Sequence, residues 1–229
     1  MHSDKLEDYL KAIYVLEAHE GVAKTGALAQ HLGITPGSVT EMIKRIADVS
    51  PRLIHYRQHH GVTLTAKGRK EAMSVIRRHR LLETFLHQTL GFGWEDVHAE
   101  AEILEHHLSD RMVRAIDRHL SYPKFDPHGE PIPDGNGNLA FLEGEKLSSI
   151  APGTRIRILR VDPSISGMLQ YLDEMGIGLG TTGIVESIAP FGGPVTLRID
   201  GAGADHTRSI GSAVADRIYA VTQILEILK

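Results

Sequence analysis

Leu6, Tyr9, Leu10, Ile13 and Leu16 recur at helical spacing near the start of the chain, so the first element is an amphipathic helix, which Gly21 stops. A second, short helix is expected from Thr25 to Leu32, with Leu28, Ala29 and Leu32 facing inward, and Gly33 then permits a tight turn. Thr35-Pro36 reads as an N-cap followed by proline in the first turn, and Val39, Ile43 and Ile46 give the third helix its buried side. Two short helices joined by such a turn have the form of a helix-turn-helix, whose second member would be the recognition helix. Next, Leu53 to Tyr56 and Val62 to Thr65 read as two short strands around a loop from Arg57 to Gly61, which makes a wing.

From Thr65 to Leu120 the pattern is helical throughout, with one break at Gly91-Phe92-Gly93. Leu81, Leu82, Phe85, Leu86 and Leu90, then Ile103, Leu104, Leu108, Met112 and Ile116, offer apolar surface for helix packing and for a dimer seam, and Trp94 reads as a core or junction aromatic. Residues 122–138 are rich in proline, glycine and polar side chains, which marks a loop or linker. After Pro152-Gly153 the period shortens: Thr154 to Val161, Thr182 to Ile188, Val195 to Ile199 and a run near Ile218 to Val221 read as strands, with a helical turn or two around Met168 to Met175. Short strands separated by glycine turns predict a small, strongly bent barrel.

Composition narrows the chemistry. The 229 residues contain no cysteine, which excludes disulfides and every thiolate metal site, so a metal must sit on oxygen and nitrogen. A formal net charge of −4 hides an asymmetry: residues 1–78 hold 12 Lys+Arg against 8 Asp+Glu, and the basic surplus concentrates between Pro36 and Lys70. A basic front and an acidic remainder suit a protein that touches phosphates with one end. On the recognition helix, Thr35, Pro36, Ser38, Thr40 and Glu41 form the exposed start that would face base edges, while Lys44 and, on the wing, Arg57 would meet phosphate. No apolar stretch approaches 18 residues and no charged-then-apolar leader begins at Met1, so neither a membrane span nor a secretory signal is expected and the cytoplasm follows.

His98, Glu102, Glu105 and His106 follow one another at i, i+4, i+7 and i+8, within roughly a 100° arc of one helix face at about 100° per residue. One helix earlier, His79 and Glu83 form another i, i+4 pair. Exposed helices carry glutamate and histidine freely, but two carboxylates and two imidazoles on one stripe exceed what solubility requires, and Glu102, Glu105 and His106 read as metal ligands. Such donors suit manganese, ferrous iron, zinc or cobalt, and hard oxygen ligands shift the balance toward Mn2+.

The order of these elements resembles the diphtheria toxin repressor and manganese transport regulator family over nearly the whole chain. Glu7-Asp8-Tyr9-Leu10-Lys11-Ala12-Ile13-Tyr14 is similar to that family's first helix, Ser38-Val39-Thr40-Glu41-Met42 to its recognition helix and Leu64-Thr65-Ala66-Lys67-Gly68 to its wing exit. Arg78 to Glu83 and Val97 to Ser109 resemble its metal-binding and dimerisation helices, and Pro131-Ile132-Pro133 its linker. The resemblance implies a mainly α protein with a small β domain. Its parts would be an N-terminal winged helix-turn-helix at 1–72, a helical metal-binding and dimerisation domain at 73–142, and a C-terminal SH3-like β barrel at 143–229. It implies a homodimer on double-stranded operator DNA, a primary metal site from Asp8, Glu102, Glu105 and His106, and a second from His79, Glu83 and His98. Iron-responsive members have methionine and cysteine where this chain has Asp8 and Glu102, which favours Mn2+ as cofactor, with Fe2+ the alternative. The manganese branch has an acidic residue where this chain has Lys11, so its two-metal arrangement is not expected here.

Two other readings compete. A ferritin-like metalloenzyme needs Glu-x-x-His on two helices, whereas only Glu95-Asp96-Val97-His98 has that spacing. A winged-helix repressor that senses an organic ligand would show an apolar pocket where this sequence has a polar stripe.

Overall fold

The opening helix-turn-helix forms as the apolar periods dictate: α1 (Ser3–Glu20), α2 (Thr25–His31) and α3 (Pro36–Ala47). The computed structural model describes residues 3–49, 51–165, 167–201 and 206–222. Thr35 caps α3, its hydroxyl accepting the Ser38 N–H at 3.3 Å, with Pro36 in the first turn where no N–H is missed. Leu10, Ile13, Leu28, Val39, Ile43 and Ile46 interlock in one core and are essentially inaccessible, each stabilising the unit by about 1.5–3 kcal/mol. The wing, β1 (Ile54–Arg57) and β2 (Gly61–Leu64), differs from the expected register by one residue. Arg57 and Gly61 pair across the hairpin, which shortens the loop to Gln58, His59 and His60 and puts His59 at φ 65°. A three-residue loop with one left-handed residue is a common hairpin closure, and the sequence offered no Asn-Gly or Asp-Gly to announce it.

Two glycines hold the wing in place. A Cβ on Gly61 would lie 2.7 Å from the Ala23 carbonyl oxygen, where Ala23 and Val62 exchange backbone hydrogen bonds of 2.9 Å. A Cβ on Gly68 would lie 1.9 Å from the Leu53 oxygen, so only glycine lets the start of α4 (Ala66–Leu90) cross the chain entering β1.

The helical stretch breaks twice rather than once. After residues 91–96, α5 runs from Val97 to Leu104 and α6 from Asp110 to His119. Ser109 caps α6 by accepting the Met112 N–H at 3.2 Å, a second Ser/Asp start signal inside what reads as one continuous helix. Glu105 and His106 therefore lie in the turn beyond α5, not on the same helical face as His98 and Glu102.

The chain divides into two compact units, Met1–Leu82 with Ala99–Tyr122 and Ile132–Leu139, and Glu83–His98 with Pro123–Pro131 and Ala140–Lys229. In the first, Arg77 on α4 pairs with Asp117 on α6 and donates to the Pro133 carbonyl, which fastens residues 132–139 to the helices.

The second unit is built on β3 (Glu145–Lys146), β4 (Arg155–Val161), β5 (Thr182–Ile188), β6 (Val195–Ile199), β7 (Thr207–Ile210) and β8 (Ile218–Thr222). Their order is β3-β8-β4-β5-β6-β7, every pairing is antiparallel, and the sheet is open between β3 and β7 where a closed barrel was expected. Register shifts between Ile158 and Arg160 and between Val185 and Ser187 bend it. Helix α7 (Met168–Glu174) packs Met168, Leu169 and Leu172 into the same core as Ile156, Ile158, Val185 and Leu197. Part of the expected linker is ordered as a buried turn. Asp126 Oδ1 accepts the His128 and Glu130 N–H groups at 2.8 and 2.9 Å, and the His128 carbonyl accepts the Val161 N–H on β4. Among the described residues no helix is long and apolar enough to cross a membrane.

Candidate metal centre and nucleic-acid surface

The first unit gathers acidic and imidazole side chains from α1, α4 and the end of α5. Asp8 lies on α1 off the apolar stripe of Tyr9, Leu10 and Ile13, and its Oδ1 is 2.9 Å from His106 Nε2. Glu105 Oε1 stands 3.6 Å from the same nitrogen, and one donor each from Asp8, Glu105 and His106 lie within 4.8 Å of one another. Glu105, with no side-chain exposure, also accepts from His79 Nδ1 at 2.5 Å. Glu102 belongs to the neighbouring group of His79, Glu102 and Glu105, its Oε1 being 3.7 Å from His79 Nδ1. The four residues expected in a primary site thus form a continuous chain through Glu105, and His79, assigned to the second site by resemblance, stands beside it.

Sequence reading did not find the remaining partners. Lys11, one turn after Asp8, places its ammonium 2.6 Å from Glu102 Oε1 and 2.8 Å from Glu105 Oε1. Glu7 accepts from His106 Nδ1 at 2.7 Å and from Arg78 at 2.8 Å. The i, i+4 step from Glu7 to Lys11 was the available signal.

Burial raises Asp8 above the usual aspartate range, and it outweighs His106 and Lys11, which act the other way. Burial pushes Glu105 up as well, yet the His79 hydrogen bond and the charges of His79 and Lys11 overcome it and hold the carboxyl low. Burial lowers His106, but Glu7, Asp8 and Glu105 together raise it. A cation bound at His106 would compete there with the proton that these carboxylates favour. Among the described contacts, the carboxylates Glu7, Glu102 and Glu105 meet the permanent cations Lys11 and Arg78, and Asp8 meets His106. Carboxylate oxygen and imidazole donors suit a first-row metal.

In the second unit, His98 Nδ1 lies 3.1 Å from Glu83 Oε1, with His98 half exposed and Glu83 buried. Glu83 also stands 3.9 Å from His128 Nδ1, and Glu83, Asp126 and His128 bring donors within 4.8 Å, all three buried. Asp126 and His128 were missed because they sit in a Pro/Gly-rich segment without periodicity.

Of the expected DNA contacts, Thr35, Pro36, Ser38, Glu41, Lys44 and Arg57 are exposed, whereas Thr40 is half-buried. Thr40 turns its hydroxyl back to the Pro36 carbonyl at 2.9 Å, and Glu41 pairs with Arg45 one turn on. Arg57 projects from strand β1 rather than from the loop.

A winged helix-turn-helix beside a carboxylate-imidazole cluster defines a metal-responsive DNA-binding regulator, and comparison with known proteins agrees. Residues 1–62 match the family described as "Iron dependent repressor, N-terminal DNA binding domain", residues 65–134 "Iron dependent repressor, metal binding and dimerisation domain", and residues 145–221 "FeoA domain". The chain is 38% identical over 118 residues to the HTH-type transcriptional regulator MntR of Geobacillus kaustophilus, covering 52% of this chain and 79% of that one. It is 37% identical over 131 residues to the iron-dependent repressor IdeR of Mycobacterium leprae, covering 57% of this chain and 56% of the relative. Among solved structures, a manganese-dependent transcriptional repressor in complex with manganese superposes with a TM-score of 0.83 at 34% identity, over 95% of this chain and 99% of that one. The chain belongs to the iron-dependent repressor family of metal-dependent, DNA-binding transcription regulators, which are not enzymes.

Proposed function

We propose that this chain is a manganese-responsive repressor of metal-homeostasis genes, working in the cytoplasm as a homodimer on double-stranded operator DNA. Its domains on this reading are 1–72, 73–142 and 143–229. The observation that carries the proposal is the 2.9 Å approach of Asp8, on the first helix of the DNA-binding module, to His106, beyond the end of α5. Asp8, Glu105, His106 and, through Glu105, Glu102 would hold the ion. When bound, a divalent cation would supply positive charge to this carboxylate-rich cluster. Asp8 then keeps α1, and the α2–α3 pair packed with it, in a single orientation relative to the end of α5. In a dimer that orientation sets two recognition helices about 34 Å apart, one turn of DNA. Exposed Ile103, Leu104 and Met112 support a seam between protomers. In our proposal Glu83 and His98 form a second centre, to which Asp126 and His128 add donors.

Manganese is favoured because Asp8 and Glu102 offer hard oxygen and no thiolate is available. The likeness to an iron-dependent repressor keeps Fe2+ as the second reading. Operator affinity titrated with Mn2+ and, anaerobically, with Fe2+ distinguishes the two. Manganese should tighten binding by about 5–150-fold, the usual span of such couplings. Activation by iron with manganese inert transfers the assignment to iron, and no response to either overturns the manganese proposal. In the same assay, Lys44→Ala or Arg57→Ala should weaken all DNA sequences alike and flatten the salt dependence by about one ion each.

A further inference from the structure

We infer that Glu7 is a positioning residue for the metal centre, one that selects which nitrogen of His106 faces the ion. This rests on the proposed function, because it concerns the same centre. The two ring nitrogens of His106 have different partners: Nδ1 is 2.7 Å from Glu7 Oε2, and Nε2 is 2.9 Å from Asp8 Oδ1 and 3.6 Å from Glu105 Oε1. Arg78 on α4 lies 2.8 Å from the same Glu7 oxygen, and its Nε donates to the Glu105 carbonyl at 2.9 Å. The guanidinium fixes the Glu7 carboxylate as an acceptor, so Nδ1 keeps its hydrogen and Nε2, which faces Asp8 and Glu105, is the nitrogen left to bind an ion. A carboxylate behind a ligating imidazole sets its tautomer and orientation and makes it a better donor.

Glu7 and Asp8 are neighbours on α1, whereas His106 lies beyond α5. The arrival of α1 therefore does two separate things: Asp8 adds a donor, and Glu7 turns an existing donor toward the ion. His106 is only 8% exposed, so its ring has little room to satisfy Nδ1 elsewhere once Glu7 is gone.

Mn2+ affinity of the full chain, measured by calorimetry for wild type, Glu7→Ala, Glu7→Gln and Asp8→Ala, tests this, together with the 15N spectrum of the Cd2+-loaded proteins. Glu7→Ala should weaken Mn2+ by about 10–100-fold, the usual effect of losing such a support. Glu7→Gln, which still accepts from Nδ1–H, should recover part of the loss. In wild type and Glu7→Gln, His106 should show a protonated Nδ1 and a cadmium-bound Nε2, and Glu7→Ala should lose that single state. A purely structural Glu7 that only docks α1 would leave the nitrogen assignment unchanged in all variants, and this result overturns the inference. Unchanged Mn2+ affinity in Glu7→Ala alongside weakened affinity in Asp8→Ala also overturns it while leaving the centre intact. If neither variant weakens Mn2+, the centre itself is misplaced and the inference falls with it.

Discussion

Asp8→Ala is expected to remain folded and retain residual metal uptake while losing most of its metal-stimulated operator affinity. The side chain points away from the apolar stripe of α1, and burial already disfavours its charged form without metal. It is 37% exposed and pairs with His106, so its removal should cost at most about 1 kcal/mol of stability, as for a partly exposed ion pair. Glu105 and His106 stay together, so an ion still finds donors. What disappears is the metal bond that belongs to α1. A ligand shifts a conformational equilibrium only by its differential affinity for the two states, and that bond provides the difference. Paired calorimetry and operator-binding measurements separate the two effects. Full operator affinity at saturating Mn2+ would make Asp8 one ligand among several and end the clamp account.

Glu105→Ala should be the most damaging single change, because metal binding and metal-free stability fail together. Its carboxylate is fully buried and serves His79 and Lys11 while facing His106. Removing one member of a buried ion pair costs about 3–5 kcal/mol; Lys11 keeps Glu102, so the low end, about 3 kcal/mol, is expected here. Glu102→Ala, at a side chain 38% exposed, serves as the control and should unfold close to wild type. The pH dependence follows from the depressed Glu105 carboxyl. Its stabilisation is complete above the ordinary glutamate value and is lost as pH falls through the lower folded value, so Glu105→Gln should remove part of the acid limb. Denaturant titration of the metal-free proteins checks both. Equal losses in Glu105→Ala and Glu102→Ala would contradict the assigned burial.

Legibility in the sequence followed periodicity. The helix-turn-helix, its Thr35 cap and the longer strands could be read because apolar spacing and turn residues agreed there. The wing register slipped by one because nothing local distinguished a five-residue loop from a three-residue loop closed by left-handed His59. The end of α5 was hidden by continuing apolar spacing, although Ser109-Asp110 held a start signal for α6. Strands β3 and β7 are two and four residues long, too short to show alternation. At the centre, residue types on one stripe suggested ligands. The pairings of Glu7, Lys11 and Arg78 required tertiary proximity across 27 to 99 residues of sequence. Asp126 and His128 are held by backbone hydrogen bonds within a turn, which no periodic pattern announces.

The central claim is that the ion bridges α1 to the end of α5. Anomalous X-ray scattering at the manganese edge, from crystals of the full chain grown with Mn2+, tests it most directly. The account predicts a peak within bonding distance of Asp8, Glu105 and His106 in wild type. A peak confined to Glu83, Asp126 and His128, with none beside Asp8, would contradict it.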